Sequence, residues 1–114
     1  MDEHAVFVHW AELELRPEVD LGAPGGAVTT ALCGSWEHPP PCRWPHNNSE
    51  PDGPGLVTFR TVFVASADEE PTVRAHIEAA LRAGAWRVLV TGSRGPTAEE
   101  LRLGRRIGGL PEES

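Results

Sequence analysis

The chain has 114 residues, 39% of them hydrophobic, with 12 glycines, 11 prolines and a formal net charge of −7. That length predicts a single domain over 1–114 with one modest core, and no apolar run is long enough for a membrane span. So large an excess of carboxylates excludes nucleic acid as the expected partner, because such binding rests on neutralising phosphates with basic side chains.

All ten basic residues are Arg, while Lys, Gln and Tyr are absent. The pattern matches the coding bias of a GC-rich bacterial genome. The acidic start, Met1-Asp2-Glu3-His4, lacks the basic opening of a secretory signal. A cytoplasmic protein is therefore expected, with its two cysteines kept as thiols in a reducing compartment. Charge is uneven: residues 1–70 carry −9 and residues 71–110 carry +4. The basic half leaves room for a small anion.

Residues 5–15 alternate, with Ala5, Phe7, His9, Ala11, Leu13 and Leu15 on one face, which predicts a half-buried strand. Pro24-Gly25-Gly26 reads as a turn, and the β-branched run after it predicts a second strand over 27–36. Residues 37–55 hold six prolines and no period, so they read as one long loop. Leu56–Ser66 has apolar residues on both faces and predicts a central strand. Pro71 in a first turn and the stripe Val73, Ile77, Ala80, Leu81 predict a helix that stops at Gly84. Trp86–Thr91 reads as a fourth strand, reached by a crossover that makes it parallel to the third. Thr97 and Glu100 have the spacing of a capping box for a short last helix, with the tail over 108–114 expected to fray. The whole predicts an α+β fold: a four-stranded, mostly antiparallel sheet with one main helix, in the order β-β-β-α-β, and a short C-terminal helix.

Cys33, His38, Cys42 and His46 fall within fourteen residues. Two thiolates and two imidazoles suit a tetrahedral structural zinc, and four protein ligands would leave no open position for catalysis. The segment resembles a zinc knuckle in compactness and ligand set, but it lacks the C-x-x-C pair that opens a knuckle, so nucleic-acid binding is not implied. Pro39-Pro40-Pro41 in polyproline geometry would hold His38 and Cys42 roughly 12 Å apart, so a closed site needs a bend there. The alternatives are a buried Cys33 with a loop thiol at Cys42, or a disulfide between them.

The same loop carries Trp36, Arg43, Trp44, Asn47 and Asn48, a composition common at interface anchors and pockets; equally, the indoles could cover a small core. The segment from Arg87 through Thr91-Gly92-Ser93-Arg94 to Glu100 resembles the opening strand and phosphate loop of SLOG-type nucleotide-binding proteins. That resemblance implies a phosphate held by helix amides and Arg94, yet only fourteen residues follow it, too few for the remaining crossovers. An edge strand running into a capped helix fits better. His9 on an apolar face reads as a satisfied core histidine. No nucleophile–base order, paired carboxylates or phosphate loop of the P-loop type is present, so the expected role is non-catalytic. The chain is expected to bind a protein partner through the Trp/Arg/Pro loop. The alternative is a small-molecule pocket or enzyme site under residues 37–55, with zinc.

Overall fold

The computed structural model describes residues 3–33 and 44–111. Its elements follow the order β1 (His4–Leu15), α1 (Ala23–Cys33), β2 (His46–Asn48), β3 (Gly55–Ser66), α2 (Glu70–Arg82), β4 (Arg87–Arg94) and α3 (Ala98–Gly108). The four strands form one sheet in the order β2-β3-β1-β4, every neighbouring pair antiparallel. The α+β class and the four-stranded antiparallel sheet therefore stand as expected. Strands β3 and β4 run the same way because both oppose β1, which lies between them. The first six elements thus make the split β-α-β arrangement of ferredoxin-like folds, and α3 is an addition.

The segment expected as a second strand is a helix. In α1, Pro24, Val28 and Leu32 recur every four residues and are buried together. Pro24 sits in the first turn, where its missing N–H costs no helical bond. The Asp20 side chain accepts from the Gly22 amide at 2.8 Å and fixes the approach to the helix. The β-branched Val28, Thr29 and Thr30 favour strands only weakly, and packing against α2 overrides that preference. The missing strand is β2, three polar residues inside the presumed loop, which pair with β3 at His46↔Phe63, Asn47↔Val62 and Asn48↔Thr61.

The two sheet faces hold separate clusters. Beneath α1 and α2 lie Ala11, Leu13, Leu15, Phe59, Phe63 and Ala65, closed by Val28, Leu32, Val73, Ile77 and Leu81. On the opposite face Val6, Val8, Val62 and Val64 are covered by Leu101, Ile107 and Leu110 of the α3 region. Burial on both sides explains the unbroken apolar run in β3.

The capping box of α3 forms as its spacing suggests: the Glu100 amide donates to Thr97 Oγ1 at 3.1 Å, and the Thr97 amide donates to Glu100 Oε1 at 2.9 Å. The same carboxylate receives Arg60 Nε at 2.7 Å and Nη2 at 2.6 Å, which ties α3 to β3. Hydrogen bonding from Arg60 holds the Glu100 carboxyl below its ordinary range. The expected fraying from Gly108 does not begin there. Gly109 adopts the left-handed conformation that closes the helix, at φ 66°, and the Leu110 amide bonds to Arg105 O at 2.8 Å. Leu110 then packs on the second cluster.

Candidate functional site

Two of the four expected metal ligands lie within the described residues, and the fold brings them together. Cys33 ends α1 and His46 opens β2, so their approach follows from α1 lying against β2. Cys33 Sγ is 3.8 Å from His46 Nδ1. Zinc bonds of about 2.3 Å to sulfur and 2.0 Å to nitrogen, at a tetrahedral angle, place such ligand atoms roughly 3.6 Å apart. The spacing fits a shared metal ion. His38 and Cys42 lie outside the described residues, as do Trp36 and Arg43. Among the described residues no cluster of three or more His, Cys, Asp or Glu side chains is placed to hold a metal.

Cys33 is disulfide-bonded, against the expectation of a free thiol. A sulfur in a disulfide has no thiolate to offer, so metal binding here requires the reduced protein.

His46 is fixed from several sides. Its Nδ1 lies 3.0 Å from Trp44 O, and its Nε2 lies 2.9 Å from Thr29 Oγ1. With a carbonyl at Nδ1, that nitrogen carries the proton, and Nε2 accepts from the Thr29 hydroxyl. Asn48 Nδ2 donates to Thr29 Oγ1 and to Gly25 O, both at 3.1 Å, and Asn48 Oδ1 accepts from Thr61 at 2.8 Å. This chain of polar side chains joins β3, β2 and α1.

Trp44 is no surface anchor. It is 6% exposed within the larger core cluster. Its Nε1 donates to Glu69 at 3.3 Å, and its ring lies 5.7 Å from that of His76. The alternative of an indole folded onto the core is the one realised. Asn47 is exposed on β2.

Arg94 does not wait at an anion site. Its guanidinium lies over Trp10 at 4.2 Å. The start of α3 already holds the Glu100 carboxylate, which takes the place a phosphate would need.

His9 is a satisfied core histidine, as its position on the apolar face suggests, and the structure adds its partners. They are Arg74 and Glu78 of α2 and Thr91 of β4. Helical spacing of 74 and 78 was visible in the sequence. Their convergence on residue 9 depends on the sheet order and was not.

A cavity of about 340 Å³ opens between α1 and β2, lined by Thr29, His46, Asn48, Ser49 and Glu50 among others. No helix among the described residues is long and apolar enough to cross a membrane. Comparison with protein families, with curated proteins and with solved structures finds no match for this chain.

Proposed function

We propose that this is a non-catalytic binding protein of a reducing cytoplasm. It contacts a protein partner through the segment between α1 and β2. In the reduced state that segment is closed by a structural zinc on Cys33, His38, Cys42 and His46. The 3.8 Å approach of Cys33 Sγ to His46 Nδ1 carries the reading, because it joins two ligand types across thirteen positions at the spacing one zinc ion requires. Among the described residues, His9 and His46 each have both ring nitrogens engaged with neighbouring protein groups, which agrees with a binding role.

Protein purified reduced and without chelator is expected to contain about one zinc per chain, measured by elemental analysis with thiol titration in parallel. Cys33→Ser and His46→Ala should each lose the metal, and oxidised protein should carry none. Reduced protein with titratable thiols and no zinc, even after addition of the ion, overturns the reading.

Thr29 supplies a finer test. Metal on Nδ1 leaves the His46 proton on Nε2, facing Thr29 Oγ1 at 2.9 Å. Such a partner orients a ligating imidazole, and its loss costs about 10–100-fold in affinity. Thr29→Val keeps the shape and removes the acceptor, so competition with a zinc indicator should show a loss of that size.

The cavity beside β2 supports a second reading, as a small-molecule pocket. Its polar groups argue against this, since Asn48, Thr29 and His46 are bonded to one another and to the backbone. A thermal-shift screen with nucleotides and metabolites is the discriminating measurement, because any ligand of the folded state raises the melting temperature.

A further inference from the structure

We propose that His9 is an acid-sensitive latch that holds α2 and β4 to the central strand and loosens them when its ring takes a second proton. The argument starts from which atoms can donate. Arg74 Nη1 lies 3.0 Å from His9 Nδ1. A guanidinium has only donors and keeps its charge, so Nδ1 must be the accepting nitrogen. Thr91 donates its hydroxyl proton to Trp10 O at 3.0 Å, leaving Oγ1 to accept from His9 Nε2 at 2.9 Å. Both ring nitrogens are thereby assigned, and the ring is neutral with its proton on Nε2.

A second proton can go only to Nδ1, where it would face an N–H of a cation. Two donors and two positive charges would then stand 3.0 Å apart around a side chain that is 3% exposed. Arg74 is not free to retreat. It also donates to Val8 O at 2.9 Å and to Glu70 at 2.8 Å, and it lies over the Phe63 ring at 5.2 Å. From the same helix Glu78 offers a compensating charge, 3.4 Å from Nε2, but its side chain is 38% exposed and water screens it. The cross-strand neighbours, Thr61 of β3 and Ser93 of β4, carry no charge.

Burial first, and then the Arg74 charge, hold the His9 ring below the ordinary imidazole range, with Glu78 opposing them. The sign follows. Above about pH 6.5 neither state binds the proton, and the group contributes nothing to pH dependence. As pH falls below that value the unfolded chain takes the proton first, so stability is lost until the lowered folded value is reached. The loss approaches about tenfold in the folded-to-unfolded ratio per pH unit. The Glu100 contribution lies lower, being present above the ordinary carboxyl range of about 4.3 and lost as pH falls further.

His9→Asn places an amide oxygen near the Nδ1 position, where it accepts from Arg74 without titrating. Urea midpoints and amide exchange of α2, followed from pH 7.5 to 5, should show a loss in the native protein and a flat response in the variant. Acid sensitivity in His9→Asn equal to that of the native chain overturns the proposal. The native protein gives an independent readout by ring-carbon NMR titration. A His9 ring that takes its second proton below the ordinary imidazole range, with α2 exchange accelerating as it does so, supports the latch; one that protonates at or above about 6.5 with α2 exchange unchanged overturns it. Arg74→Met, which removes the opposing cation, should raise the pH at which the His9 ring protonates.

Discussion

Replacing Phe63 by alanine is expected to cost about 3–5 kcal/mol. Phe63 is fully buried on β3, between its partners His46 on the edge strand β2 and Phe7 on the central strand β1. Its ring packs 5.5 Å from that of Phe7 and lies beneath the Arg74 guanidinium. Truncation therefore leaves a cavity under α2 and unseats the cation that fixes His9. A domain of this size has only about 5–15 kcal/mol in all, and a loss of that order lowers the melting temperature by roughly 15–25 °C. Thermal and urea unfolding followed by circular dichroism measure it. Leu56→Ala is the control: Leu56 is 73% exposed on the same strand, and a surface change of this kind stays within about 0.5 kcal/mol. Similar losses from both substitutions would show that the core is not centred on Phe63.

What the sequence made legible was what short-range pattern encodes. The alternation from Ala5 to Leu15, the two-faced run from Leu56 to Ser66 and the stripe Val73, Ile77, Leu81 each correspond to an element. So does the Thr97–Glu100 box. Each carries its signal within its own residues.

Helix α1 was misread because its stability is not local. Two glycines and two threonines disfavour a helix, and the buried Pro24, Val28 and Leu32 outweigh them only once α2 and the sheet are in place. Strand β2 has no apolar period at all. It exists because β3 offers an edge and because Asn48 is bonded to Gly25 and Thr61. The proposed metal ligands were legible as residue types at a spacing, and Cys33 and His46 do meet. The disulfide at Cys33 was expected to be absent on compartment grounds, an argument that concerns surroundings and says nothing of geometry. The His9 cluster needed residues 9, 74, 78 and 91 to be placed by a strand order that no local pattern reports.

Gly104→Val should release α3 while the rest of the fold stays intact. Gly104 is the buried residue of that helix, and it lets the backbone of α3 rest directly on β1. A Cβ at this position would overlap both methyls of Val6 and stand 3.1 Å from the Val6 Cβ. The Val6 Cβ is anchored to the backbone of β1, so the clash is not relieved by a side-chain rotation. Gly108 repeats the device one turn later, where a Cβ would stand 2.8 Å from Val64, so the helix cannot pivot away from one contact without pressing on the other. Overpacking of this kind costs about 1–3 kcal/mol, partly offset by the poor helix propensity of the glycine it replaces. The loss falls on the smaller cluster, Val6, Val8, Val62 and Val64, and leaves the core under α1 and α2 untouched. Trypsin gives a direct readout, because Arg102, Arg105 and Arg106 all lie in α3. Cleavage there should rise about 5–100-fold, following the population of the undocked helix, with little change in cleavage at Arg74 and Arg82 of α2. Equal acceleration in both helices would mean that the two faces of the sheet unfold as one unit. Unchanged cleavage in α3 would mean that the helix is not held by close approach at Gly104.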